Sequence, residues 1–186
     1  MAPLISEEEI NRSDEFFEQI HKIEKEYFHY WIENTLWDWE FWLSIFLSVF
    51  PWIVWLIVRK RGSEARLLLA GSFALIIASW LDFLGIIFGL WHYSGRVLPT
   101  IPAFLPWDFS LIPVTLMLWL QFKPTYNPFL KAIIYSALSS FIGEPLFEWI
   151  GFYTEVNWSA FYSFPIYTVI YLIAYRISQA KTFDTL

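Results

Sequence analysis

Four carboxylates stand where the chain is otherwise most apolar: Asp82, Asp108, Glu144 and Glu148. A charge held in hydrocarbon costs at least about 2.5 kcal/mol, so an acid kept there is a candidate functional group. Aromatic residues crowd these acids along the chain: Trp91, Tyr93, Trp107, Trp149 and Tyr153, with His92 between two of them. Aromatic faces stabilise cations. A neutral acid beside them could protonate an alkene and shelter the carbocation that results. The expected catalytic set is Asp82, Glu144, Asp108 and Glu148. The expected ligand-binding wall is Trp91, His92, Tyr93, Trp107, Trp149 and Tyr153. Asp82 or Glu144 is the expected proton donor. Asp108 falls in the first turn of its helix, where the dipole favours negative charge, and is expected to be an ionised stabiliser at the outer rim.

Five apolar segments must position these groups: 41–58, 67–91, 106–122, 132–153 and 159–177. Each is close to the ~20 residues a helix needs to cross a bilayer. The fold class is therefore all-α, an integral membrane bundle of five spans preceded by an amphipathic helix. Residues four apart lie near one face of a helix. Ala70, Ala74 and Ala78 make a small-residue row with Asp82 as its next step. Ser136, Ser140, Glu144 and Glu148 make a second row, and Ser163, Tyr167, Tyr171 and Tyr175 a third. Small residues mark helix packing in membranes, so Asp82 and Glu144 are expected to face inward, with Glu148 one turn above Glu144. An internal echo is also present: Asp82 precedes Gly89 by seven residues and Glu144 precedes Gly151 by seven, with Tyr93 and Tyr153 following. Repeated helix pairs would set two acids symmetrically around one site.

Residues 1–40 form the first predicted unit, 41–180 the transmembrane unit and 181–186 a short tail. The first 40 residues carry a net −8 and the remainder +2. Ser6-Glu7-Glu8-Glu9 has the form of a capping box, and Ile10, Phe17, Ile20, Tyr27 and Trp31 then recur at roughly helical spacing. This reads as an acidic interfacial helix, and no cleaved signal peptide is expected. Arg59, Lys60, Arg61 and Arg66 crowd the first connection, Lys123 and Lys131 flank the third, and Arg176 and Lys181 follow the last segment. The positive-inside rule then places the protein in the cell membrane with its N-terminus outside and its C-terminus cytoplasmic. The stretch from His92 to Leu105, with Gly95, Pro99 and Pro102, reads as an irregular outer loop.

The composition excludes several classes. There is no Cys, hence no disulfide, thiolate metal site or cysteine nucleophile. An acidic head does not suit nucleic acid. Two Glu-x-x-His pairs, Glu18/His21 and Glu26/His29, fall on one solvated helix. Di-iron sites draw such pairs from separate helices, so no metal and no cofactor is expected. A homo-oligomer or a partner in the membrane is left open.

Two resemblances follow from particular residues. Leu90-Trp91-His92-Tyr93-Ser94, followed by Leu105-Pro106-Trp107-Asp108-Phe109, resembles a family of small, uncharacterised multi-pass membrane proteins of spore-forming bacteria. Trp80-Leu81-Asp82, then Trp91-His92-Tyr93, then Pro106-Trp107-Asp108-Phe109 is similar to the membrane-embedded, cofactor-free lycopene cyclase domains of bacteria and fungi. Those have an aspartate, a Trp-x-aromatic element and then Pro-x-Glu-Glu; this chain has Asp108 and Phe109 where they have two acids. The second resemblance implies isoprenoid cyclisation by acid catalysis.

The expected function is an outward-facing pocket that binds an apolar lipid or isoprenoid, with acid-catalysed cyclisation as the chemistry it would allow. A non-enzymatic membrane sensor or complex-assembly subunit is the alternative. A proton or cation pathway is the third.

Overall fold

Ala70, Ala74 and Ala78 are almost wholly buried along one face of a helix. That narrow face lets α3 (Glu64–Ile87) pack closely against its neighbours. The computed structural model describes residues 5–99 and 103–180; the tail at 181–186, Lys181 and Pro102 lie outside these. In chain order come α1 (Glu7–Asn34), α2 (Trp39–Val58), α3, strand β1 (Trp91–Tyr93), a π-helical stretch (Leu105–Leu111), α4 (Ile112–Gln121) and α5 (Pro128–Leu138). A second π-helical stretch (Ser139–Gly143), α6 (Glu144–Trp149), strand β2 (Tyr153–Glu155) and α7 (Ala160–Ser178) complete it.

Among the described residues the regular structure is helical apart from one short antiparallel pair of strands, β1 and β2, which lie far apart in sequence. The helices α2, α3 and α7 are long and apolar enough to cross a membrane. The third and fourth apolar segments are helical as well, but each is broken into shorter pieces by its π-helical turns. Within the bundle α3 packs on α4 and α7, and α5 packs on α7. α2 lies mainly against the π-helical stretch that precedes α4. The main core joins Ala70, Leu116, Met117, Ala132 and Tyr171. Large apolar side chains point outward from several helices, among them Phe50, Ile57, Ile76, Ile87, Ile142 and Val169. An apolar exterior of this kind belongs against other apolar material.

The capping box of α1 forms: Glu9 N–H donates to Ser6 Oγ (3.3 Å) and Ser6 N–H donates to Glu9 Oε2 (3.2 Å). Nearly all of α1 is exposed. Its one buried residue, Trp31, donates Nε1–H to the Arg96 carbonyl (2.7 Å) and packs edge-on to Phe41.

One end of the bundle differs in part from the sequence expectation. The second apolar segment stops as helix at Ile87 and the fourth at Trp149. Trp91–Tyr93, at the start of the expected irregular loop, pairs antiparallel with Tyr153–Glu155, His92 opposite Thr154, while 94–99 and 103–104 are irregular as expected. Gly89 and Gly151, both with positive φ (64° and 83°), make the exits from the preceding helices. Such a left-handed step is the usual glycine signal for a helix end.

Candidate functional site

The paired strands β1 and β2 cover a cavity between α3, α6, α7 and the π-helical stretch at Leu105–Leu111. Its lining includes Asp82, Asp108, Glu144, Trp91, Tyr93 and Trp107. Phe147, Tyr153, Trp158, Ser163 and Tyr167 complete the upper wall, and Ala78, Ile112 and Ile170 form its floor. The space open to the centres of water-sized spheres is about 80 Å³. At ~10–15 Å³ for each water centre, that admits several waters or one end of a larger molecule.

Asp82 sits at the end of the alanine row and is 5% exposed. Its Oδ1 accepts hydrogen bonds from Trp91 Nε1 (3.1 Å) and the Tyr93 hydroxyl (2.9 Å). These donors come from alternate residues of β1, which point to the same face of the strand. Gly85 makes the geometry feasible, since a Cβ there would lie 2.1 Å from the Trp91 ring.

Asp108 is 1% exposed. It is buried because the π-helical stretch folds inward and covers Pro106, Asp108 and Ser110. Its Oδ2 accepts the Phe104 N–H (3.0 Å). Its carboxyl and that of Asp82 both line the cavity, and among the described residues Asp82 Oδ2 has no hydrogen-bond partner.

Glu144 is 7% exposed and faces the hydroxyls of Ser163 and Tyr167. Among the described residues its Oε2 has no hydrogen-bond partner. Both facing hydroxyls are held in turn. Trp158 Nε1 donates to Ser163 Oγ (2.9 Å) and Trp107 Nε1 donates to the Tyr167 hydroxyl (3.0 Å). Gly143 leaves room for Trp107, whose ring edge would lie 2.8 Å from an added Cβ.

Three expected members lie outside this lining. His92 is exposed because it is the middle residue of β1 and points away from the face shared by Trp91 and Tyr93. Glu148 is exposed, and Trp149 is 82% exposed. Past Glu144 the inward face of α6 is taken by Phe147, one helical step short of Glu148. The residues not foreseen at the site are Ser163, Tyr167, Trp158 and Phe147. The first two were visible as a polar row on the last segment, but nothing in the sequence fixed which helix that row faced.

Both π-helical stretches abut an acid. Ile112 N–H bonds to the Trp107 carbonyl, and Glu144 N–H bonds to the Ser139 carbonyl, each five residues back. Such wide turns occur mostly as single insertions at functional sites. Among the described residues no group of three or more His, Asp or Glu is arranged to hold a metal ion. Comparison with protein-family profiles, curated proteins and solved structures finds no match for this chain.

Proposed function

We propose that the protein is a multi-pass membrane protein whose pocket binds the unsaturated end of an apolar lipid or isoprenoid and can protonate it. The observation that carries this reading is the convergence of Asp82, Asp108 and Glu144 on one cavity whose other walls are mainly aromatic and aliphatic. In this scheme Asp82 and Asp108 share a proton and deliver it to a carbon–carbon double bond. Trp91, Trp107 and Tyr153 line the space where positive charge develops. Glu144, on the opposite side, stabilises that charge and takes up a proton when the product alkene forms, so the protons balance without a cofactor. The likeness of the Asp82, Trp91-His92-Tyr93 and Pro106-Trp107-Asp108 elements to lycopene cyclase domains favours the same chemistry.

The five-span arrangement belongs to this proposal. Residues 105–121 and 128–149 are unbroken helical runs once the π-helical turns are included. At about 1.5 Å per residue they reach roughly 25 and 33 Å, so the second clears the ~30 Å hydrocarbon core and the first is at the short end of the range for a span. Gln121 bonds to both Val58 and Lys60, so the basic connections lie at one end and the paired strands at the other. The positive-inside rule then sets the paired strands outside and the basic end in the cytoplasm.

The test is to purify the protein in mild detergent, identify the lipids that co-purify by mass spectrometry, and supply them back to wild type and to an Asp82→Asn/Asp108→Asn variant. Retention of an isoprenoid by both, with a rearranged product from wild type alone, is the expected result. Equal turnover by both would remove the acid mechanism. A stable partner protein with no bound lipid would favour the assembly-subunit alternative.

A further inference from the structure

At the end of the bundle away from the paired strands, α2 and α4 finish side by side. An open groove of about 710 Å³ runs between them, lined by Val58, Lys60, Thr115, Leu118, Phe122 and Lys123. Helix C-termini present carbonyls, which ordinarily repel anions. Here those carbonyls are occupied. Gln121 Nε2–H donates to the Val58 carbonyl (3.2 Å), and Gln121 Oε1 accepts the Lys60 N–H (3.0 Å). The buried Lys131 ammonium donates to the carbonyls of Leu120 (3.3 Å) and Phe122 (2.6 Å). Lys131 thus occupies the last carbonyls of α4.

Lys60 and Lys123 are exposed at the mouth. Lys123 has a φ of 41°, a left-handed conformation that lysine seldom adopts. Its ammonium donates to the Tyr126 hydroxyl (3.2 Å) and lies 4.9 Å from that ring and 5.5 Å from the Phe122 ring. No acid lines the groove among the described residues; the nearest in sequence, Glu64, lies 3.9 Å from Arg59. From the lysines the wall continues along one face of α4 through Phe122, Leu118 and Thr115. Their spacing of three to four residues keeps them on that face.

We propose that this groove seats one anionic phospholipid, its phosphate between Lys60 and Lys123 and an acyl chain along Val58, Leu118 and Thr115. The inference rests on the membrane-spanning reading. Charge complementarity selects the occupant: a soluble anion would leave the apolar wall unused, and a zwitterionic lipid would bring a second positive charge to the lysines. Basic pockets at the membrane edge recognise lipid headgroups in this way.

The test is the thermal shift of the detergent-purified protein on adding short-chain phosphatidylglycerol, short-chain phosphatidylcholine or inorganic phosphate. Phosphatidylglycerol should raise the melting temperature while the other two leave it unchanged. Lys60→Gln/Lys123→Gln should weaken the phosphatidylglycerol response on the order of ten-fold. Lys60→Arg/Lys123→Arg should keep it, and Thr115→Trp, which fills the groove and leaves both charges in place, should reduce it. Equal responses to the two lipids, a response to phosphate alone, or an unaltered response in the Lys60→Gln/Lys123→Gln variant would overturn the proposal. Failure of the membrane reading would show separately, as release of the protein from membranes by an alkaline wash.

Discussion

Tyr93 and Tyr153 face each other across the β1–β2 pair with ring centres 5.5 Å apart, and the pairing that joins them is symmetric about His92 and Thr154. Trp91 stands opposite Glu155 just as Tyr93 stands opposite Tyr153. Counting back nine residues from Trp91 reaches Asp82, and nine from Tyr153 reaches Glu144. Each unit is an acid on a helix, a left-handed glycine and a three-residue strand. The strand pairing thus brings two copies of one local device together, and their acids face a common cavity.

The first expectation concerns the donors to Asp82. Asn in its place keeps an oxygen for Trp91 Nε1 and the Tyr93 hydroxyl and offers an amide to Asp108. Ala removes the acceptor and leaves two buried donors unsatisfied, each worth about 1–3 kcal/mol. Asp82→Ala should therefore lower the thermal midpoint in detergent markedly and Asp82→Asn only slightly. Equal losses would show that the bonds to Asp82 do not hold β1 in place.

Two glycines of α3 should respond differently to a methyl group. At Gly85 the added carbon meets the rigid ring of buried Trp91, with atoms at 2.1 to 2.5 Å. At Gly71 it meets the thioether of Met117 at 2.7 Å, a side chain that adapts readily. Gly85→Ala should cost about 1–3 kcal/mol by overpacking and displace Trp91 from Asp82. Gly71→Ala should cost less. The two unfolding curves, measured under identical conditions, decide the matter.

Glu155 gives a pH dependence outside the spans. Burial and then the neighbouring charge of Glu148 raise its pKa above the ordinary glutamate value. The folded protein therefore holds this proton more tightly than the unfolded chain does. The resulting stabilisation is complete below the unfolded pKa and is lost as pH rises through the folded one. Glu155→Gln should then melt higher than wild type at neutral pH, with the gap closing below about pH 4. A gap that persists in acid would assign the gain to something other than this charge.

Trp31 is the buried anchor of α1. Its indole bond to the Arg96 carbonyl and its packing on Phe41 tie the acidic helix to the outer loop. Trp31→Ala should cost about 3–5 kcal/mol by loss of a buried aromatic. It should also broaden the distance distribution between a spin label on α1 and one on α7, measured by pulsed electron resonance. A distribution as narrow as in the parent would place the anchor elsewhere.

Much of the site could be read from spacing. The alanine row pointed to an inward Asp82 and the serine row to an inward Glu144, because small residues allow helices to approach and polar ones then face the interior. Where spacing failed, the backbone had left the α-helix. His92 was grouped with its neighbours because a three-residue strand is too short to show alternation. Glu148 was carried inward by a four-residue step that the end of α6 does not sustain. The burial of Asp108 depends on the π-helical stretch at Leu105–Leu111, and nothing in residue type alone announces a π-helical turn.

The wide turn at Ser139–Gly143 makes chain length an ingredient of aim. Were the same residues wound as ordinary α-helix, everything downstream would swivel by about 100°. Glu144 would then turn from the interior toward the periphery with no change in its own identity, and Tyr153 would lose its match with Tyr93.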